Sequence, residues 1–149
     1  MRMVRTMALA LATAALAGPL TAQVKKDVIK LQGAPPGVPL SAAIRVGDLL
    51  FLSGQLGVVP GSRGLAPGGT AAEAKQALEN IKALLETAGS SMDRVVKCTV
   101  FLADIADFAA MNEVYRTFFP ADPPTRSTVA VAGLLLNARI EIECLALAR

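Results

Sequence analysis

The sequence predicts an α+β fold in which two helices pack on one face of a β-sheet. Two stretches carry apolar residues at helical spacing, and several others have the apolar alternation or short apolar run of a strand. Along the chain these segments follow the order β-β-α-β-α-β-β. The segment DVIKLQ, residues 27–32, is a candidate for one further strand before them.

The first two strands are predicted within AAIRVGDLLFLSGQ, residues 42–55, on either side of a turn at Gly47 and Asp48. Residues 58–69, VVPGSRGLAPGG, lack the GK[ST] ending of a phosphate-binding loop, so we interpret them as a connection. The remaining strands are predicted within residues 93–104, 127–134 and 139–148.

Both helices have start and stop signals. Thr70 followed by Glu73 predicts a capping box, and Gly89 ends the first helix. Asp104 is the expected cap of the second helix, which a group of prolines ends. The apolar face of this second helix is predicted to consist of Ile105, Phe108, Met111, Tyr115 and Phe118.

Residues 1–22 have the pattern of a secretory signal peptide, with cleavage expected between Ala22 and Gln23. An uncleaved anchor is the alternative, although the apolar run is shorter than the roughly 20 residues that span a bilayer. Cleavage removes Arg2 and Arg5 and no acid, which subtracts two from the formal charge of +3 and leaves +1. We therefore expect an exported, periplasmic or secreted protein, a single domain at 23–149, with no membrane attachment after cleavage and no nucleic-acid partner.

Cys98 and Cys144 each alternate with apolar strand residues and are expected to be small buried hydrophobes. A disulfide between them stays open as an alternative, because the sequence does not show that their strands are neighbours. The chain contains no histidine, which excludes the usual zinc sites, Ser-His-Asp triads and Cys-His pairs. We expect no metal.

The second face of the predicted sheet is only half polar. Glu141 and Glu143 share it with Leu145 and Leu147 on the last strand. Two helices cannot cover both sides of a sheet, and no segment is left to do so. We therefore expect this face to be buried against another subunit.

Five segments in order resemble the RidA (YjgF) family of reactive intermediate deaminases: PLSAAIRVGDLLFLSGQ, AKQALENIKALLETAG, VVKCTVFLADIADFAAMNEVYRTFF, PPTRSTVAV and IEIECLALA. The resemblance covers about Pro39 to Ala148. It implies a chorismate-mutase-like mixed sheet with two helices on one face, assembled as a homotrimer with sites in the clefts between subunits. It also implies cofactor-free hydrolysis of enamines and imines, typically 2-iminoacids, to ketoacids and ammonia.

The resemblance assigns roles to three residues. Arg126 in PPTRS matches the arginine that binds the substrate carboxylate, Glu141 matches the glutamate that activates water, and Asn112 matches the asparagine of the helix segment. These residue types suit the chemistry, because a guanidinium binds a carboxylate through two parallel hydrogen bonds and a glutamate of raised pKa is a competent base. Glu143 lies about 7 Å from Glu141 along the strand and has no matching role.

Ser53 and Gly54 match the strand end that lines the family's cleft, and Thr128 stands where many members have a cysteine that contributes backbone contacts. Leu40 occupies a position that is commonly tyrosine, so any ring contact with the substrate is lost. The leading hypothesis is an imine deaminase acting on a small substrate with a carboxylate. The alternative is a non-catalytic carboxylate-binding or holdase-like member of the family.

Overall fold

A computed structural model describes residues 25–30 and 39–148, so the predicted signal peptide lies outside the described residues. The strands are β1 (Lys26–Ile29), β2 (Ala43–Val46), β3 (Leu49–Leu52), β4 (Gln55–Leu56), β5 (Val95–Leu102), β6 (Thr125–Ala130) and β7 (Ile140–Leu147). The helices are α1 (Thr70–Thr87) and α2 (Phe108–Phe118), with short 3₁₀ turns at Met92–Arg94, Ile105–Asp107 and Leu135–Asn137. In these described ranges no helix is long and apolar enough to cross a bilayer.

The strands form one mixed sheet in the order β1-β2-β3-β7-β5-β6. The short β4 continues beyond β3 and pairs with the first half of β7, while β3 pairs with its second half. Only the β5–β6 pair is parallel among these pairings. β7 is therefore a central strand, and the predicted α+β class, with a strand at β1, is confirmed. The short β4 was not predicted.

One face of the sheet packs on the helices. In β7 the residues alternate between fully buried and half-exposed, as one covered face and one open face require. The core joins β3, β5 and β7 to both helices, and its largest fully buried side chains are Leu50, Leu78, Ile81, Leu84, Leu85, Leu102, Met111, Ile140 and Ile142.

The predicted capping box at the start of α1 is wrong. Thr70 lies inside the helix, and Gly69 is the capping residue, with no side-chain hydrogen bond. The buried Glu73 instead accepts a hydrogen bond from the backbone N–H of Arg139, at 2.7 Å, just before β7 begins. The carboxylate thus satisfies a buried donor of the sheet. The predicted stop is confirmed, because Gly89 takes φ 77° and Ser90 donates to the carbonyl of Leu85.

The start of α2 also differs from its prediction. Asp104 caps the 3₁₀ turn before the helix, where it accepts a hydrogen bond from the N–H of Ala106. Ile105 in that turn is exposed, and so is Phe108 in the first turn of α2, while Met111 and Tyr115 are buried. The ring of Phe108 contacts the guanidinium of Arg126 instead of the core.

Cys98 and Cys144 lie directly opposite each other on β5 and β7, with Cα atoms 4.1 Å apart, and form a disulfide. Both are buried, as predicted. The bond was the alternative left open, and the pairing of the two strands is what allows it.

The sheet face away from the helices, here called the open face, carries an apolar row. Val28, Ile44, Phe51 and Leu145 are consecutive partners across β1, β2, β3 and β7. Val28 and Phe51 are 48% and 44% exposed. No helix or loop among the described residues covers this row, which agrees with the half-polar face expected from the sequence.

Candidate active site

Glu141 is the second residue of β7 and points to the open face, because its neighbours Ile140 and Ile142 are fully buried under the helices. Its backbone pairs with Leu56 of β4. Gly54, which lies between β3 and β4, leaves the space that the carboxylate fills. A Cβ atom on Gly54 would overlap Oε1 of Glu141 and lie 2.9 Å from its Cδ.

Two effects raise the pKa of Glu141 above the usual range of a carboxyl group. Partial burial of the carboxylate is the larger, and the like charge of Glu143, on the same face two residues along β7, adds to it. A carboxylate of raised pKa is a stronger base than an ordinary one. Glu141 is therefore better suited than an ordinary carboxylate to take a proton from a water molecule.

The Glu141 cavity, with a volume of about 400 Å³, opens beside this carboxylate. It brings together four of the predicted site residues: Leu40, Ser53, Gly54 and Glu141. The hydroxyl of Ser53 donates to the carbonyl of Ser41 at 2.6 Å, which ties the end of β3 to the segment that carries Leu40.

Other residues of this cavity were not predicted: Gln55, Leu56, Val58, Asn80 and Leu135. Asn80 donates both hydrogens of its amide to the carbonyls of Leu56 and Val58, at 3.0 and 2.9 Å, and so fixes the cavity wall. In the sequence Asn80 is one polar residue on the polar side of α1, and no pattern distinguishes it from its neighbours.

Arg126 lies in a different environment, against α2. Its Nη2 donates to Oδ1 of Asn112 at 2.9 Å, and its Cζ lies 4.5 Å from the ring centroid of Tyr115. Hydrogen bonding and the cation–π contact together hold the guanidinium plane in one orientation. Among the described residues, Asn112 and the sulfur of Met111 each take one of the five N–H donors of the group, which leaves others for a carboxylate.

Tyr115 forms the floor under this guanidinium. Burial raises the pKa of Tyr115 to about 12, although the positive charge of Arg126 acts in the opposite direction. The phenol therefore stays neutral near physiological pH and its ring faces the cation. Sequence periodicity placed Tyr115 in the core but did not show this contact.

The Arg126 cavity has a volume of about 340 Å³ and is lined by Asn112, Tyr115, Arg116, Phe119, Pro123, Pro124 and Arg126. Thr128, the remaining predicted residue, is half-buried and two positions along β6. Its hydroxyl is buried and has no hydrogen-bond partner among the described residues. Apart from Thr128, which lines neither cavity, the predicted site residues are thus divided between two separate cavities.

Strand register explains this division. Glu141 is opposite Phe101 of β5, which is opposite Val129 of β6, so these three side chains share the open face. Arg126 lies three positions from Val129, and an odd number of positions places a side chain on the other face. Within one chain Arg126 and Glu141 therefore cannot contact one small substrate.

Comparison with known proteins adds independent findings. A family model described as Endoribonuclease L-PSP matches residues 31–148. The chain is 44% identical over 124 residues to the chloroplastic Reactive Intermediate Deaminase A of Arabidopsis thaliana, covering 83% of this chain and 66% of that protein. It is 45% identical over 123 residues to the human 2-iminobutanoate/2-iminopropanoate deaminase, covering 82% of this chain and 90% of the human protein.

A solved structure, RidA from the Antarctic bacterium Psychrobacter sp. PAMC 21119, is also similar. It is 40% identical, with a TM-score of 0.75, and the match covers 81% of this chain and 98% of that one. This likeness confirms the chorismate-mutase-like mixed sheet, with two helices on one face, that the sequence resemblance implied.

Proposed function

Since the chain belongs to the RidA (YjgF) family, whose model covers residues 31–148, we propose that it hydrolyses 2-iminoacids to 2-ketoacids and ammonia without a cofactor. The observation that carries the proposal is the half-buried carboxylate of Glu141, with its raised pKa, at a cavity large enough for a small molecule. Relatives named as deaminases of reactive intermediates and of 2-iminoacids support the choice of substrate.

We propose a homotrimer as the active form. A cleft between two copies can join the Arg126 cavity of one chain to the Glu141 cavity of the next, which a single chain cannot do. The open face supports assembly, because its apolar row needs a cover that the described part of the chain lacks. The number three rests on the family resemblance.

In the proposed cleft, Arg126 of one copy binds the substrate carboxylate and fixes the position of the adjacent C=N carbon. Glu141 of the next copy takes a proton from a water molecule as the water oxygen attacks that carbon and the C=N π electrons move to nitrogen. The proton is then passed to the nitrogen. The hydroxyl proton is transferred to the nitrogen as the C–N bond breaks, so that a ketoacid and ammonia leave and one water is consumed for each imine.

We also propose that the chain is exported and processed after Ala22. The N-terminal pattern of residues 1–22 is one support. The buried disulfide between Cys98 and Cys144 is the second, since such bonds form and persist in oxidising compartments. Mass spectrometry of the protein from its native host tests this proposal, and an intact Met1 on the accumulated protein would contradict it.

Release of ammonia from freshly generated 2-iminoacids tests the activity. We expect turnover by the wild type and a loss of about 10² or more for Glu141→Gln, which keeps the shape of the side chain but removes the base. Arg126→Ala is expected to abolish turnover and Arg126→Lys to restore little, because an ammonium cannot bind a carboxylate through the two parallel hydrogen bonds of a guanidinium.

Glu143→Gln is the matched control for the glutamate, and we expect it to keep most of the activity. Carboxylate binding that depends on Arg126, without turnover of any 2-iminoacid, would instead support the non-catalytic alternative. If Arg126→Ala changes neither turnover nor carboxylate binding, both the deaminase function and the non-catalytic carboxylate-binding alternative are excluded.

A further inference from the structure

Two leucines stand exposed at the Glu141 cavity. Leu40 is 62% and Leu135 76% exposed, and both line the cavity beside the carboxylate. Leu56 and Val58 extend the same surface, and these four residues are here called the apolar wall. A single exposed leucine is ordinary, but several apolar side chains at one concave site indicate the binding of an apolar group.

A strained turn holds Leu135 in place. Leu136 and Asn137 have φ of 59° and 57°, in the left-handed region that costs a residue with a Cβ free energy. The turn is closed by a hydrogen bond from the N–H of Ala138 to the carbonyl of Leu135, at 3.1 Å. It leads directly into β7, which links Leu135 to Glu141. Strain of this kind is concentrated at ligand sites.

Several hydrogen-bond donors of the cavity are already engaged. The hydroxyl of Ser53 donates to Ser41, and both amide hydrogens of Asn80 are donated to backbone carbonyls. The amide of Gln55 donates to the carbonyl of Ser53 at 3.1 Å. A polar substrate side chain placed against the apolar wall would therefore lose water without gaining equivalent partners.

We propose that Leu135, together with Leu40, determines specificity by selecting substrates with branched apolar side chains of about the size of leucine. This proposal rests on the proposed function and extends it to the substrate side chain. With the carboxylate held by Arg126 of the neighbouring copy and the imine carbon near Glu141, the side chain is the part of the substrate left to contact the apolar wall.

The imines of leucine and asparagine give a sharp comparison, because their side chains have nearly the same shape and differ in polarity. An apolar group in a matching pocket changes kcat/KM by about 10 to 200-fold. We expect the wild type to prefer the leucine-derived imine, generated in place by an amino-acid oxidase, by at least about 10-fold. Leu135→Asn should lower this ratio by about 10-fold and affect kcat/KM less for the alanine-derived imine than for the leucine-derived imine.

Leu136→Asn is the matched control. Leu136 is exposed and adjacent to Leu135 but does not line the cavity, and asparagine tolerates its positive φ. We expect the wild-type ratio in this variant. An unchanged ratio in Leu135→Asn would overturn the proposal. The proposal would also be overturned if Leu135→Asn lowered kcat/KM equally for all three imines and light scattering showed a smaller mass. That result would assign Leu135 to a subunit contact.

A binding measurement separates this proposal from the proposed function. If no imine is turned over, the deaminase function fails, and calorimetry with 4-methyl-2-oxopentanoate and 2-oxosuccinamate still tests the apolar wall. Tighter binding of the first ketoacid, lost in Leu135→Asn and kept in Leu136→Asn, would support the specificity role. Equal affinities for the two ketoacids in the wild type would refute it.

Discussion

Arg126 and Glu141 lie on opposite faces of one sheet, on strands separated by β5. Each has its own supports: Asn112 and Tyr115 hold the guanidinium, while Gly54 makes room for the carboxylate. A site that uses both groups must therefore take them from different copies of the chain. This separation makes the assembly part of the proposed chemistry.

Complementation between inactive variants follows from this separation. Arg126→Ala and Glu141→Gln are each expected to be inactive alone, because every cleft then lacks one group. When the two are coexpressed and assemble at random, about one cleft in four receives Arg126 from one variant and Glu141 from the other. We expect about a quarter of the wild-type kcat per cleft.

The control for complementation is coexpression of Arg126→Ala with the double variant Arg126→Ala/Glu141→Gln. No cleft in that mixture contains an arginine, so no activity should appear. Both mixtures are assayed under the same conditions as the wild type. If native mass spectrometry shows mixed trimers but the first mixture recovers no activity, Arg126 and Glu141 must act from the same copy of the chain.

Gly54→Ala should displace the carboxylate of Glu141, because the new methyl group would overlap Oε1. We expect kcat to fall by about 10 to 100-fold, since a displacement of about 1 Å is enough for such a loss. Gly133→Ala is a suitable control, because a Cβ at Gly133 meets no atom within 4 Å. Equal kcat values in the two alanine variants would mean that the carboxylate does not act from its observed position.

The pH dependence of kcat/KM should report the raised pKa of Glu141. The base must be ionised, so activity rises as the pH increases through this pKa, and the rise is expected at higher pH than for an ordinary carboxyl group. Glu143→Gln removes the like charge that contributes to the shift. The rise should then move to lower pH in that variant, and a move to higher pH would exclude a charge effect of Glu143.

The disulfide is expected to stabilise the fold by about 2–4 kcal/mol, because it closes a long loop between cysteines 46 positions apart. Thermal unfolding with and without a reductant, added under conditions that reduce the wild type completely, measures this contribution. The variant Cys98→Ala/Cys144→Ala should lack any response to the reductant. Two free thiols in denatured protein taken from an oxidising compartment would show that the bond does not form.

Much of the fold followed from periodicity, because alternation in β7 and helical spacing in α1 are local properties of the sequence. The predictions that failed concern residues whose partners are distant in the sequence. Glu73 has the spacing of a capping box, but its carboxylate accepts a hydrogen bond from the backbone N–H of Arg139, 66 residues away. The Cys98–Cys144 bond likewise needed the pairing of β5 with β7. No local pattern contains this information.

The residues of the candidate site also differ in whether the sequence alone could identify them. Residues such as Arg126 and Glu141 could be selected from the sequence because short motifs surround them, whereas Asn80 and Leu135 reach the cavity through tertiary packing alone. Strand parity could have shown that Arg126 and Glu141 face opposite sides only once the pairing of β6, β5 and β7 was known. The register is set by the folded sheet.

β7 lies between β3 and β5, yet it is synthesised after every other described strand. Until it emerges from the ribosome, β1–β3 and β5–β6 have no common partner and the two halves of the sheet cannot join. The fold therefore depends on long-range pairings that are completed last, which slows folding. The sheet is therefore complete only when synthesis has passed β7, and a chain that lacks this strand has two half-sheets with no partner between them.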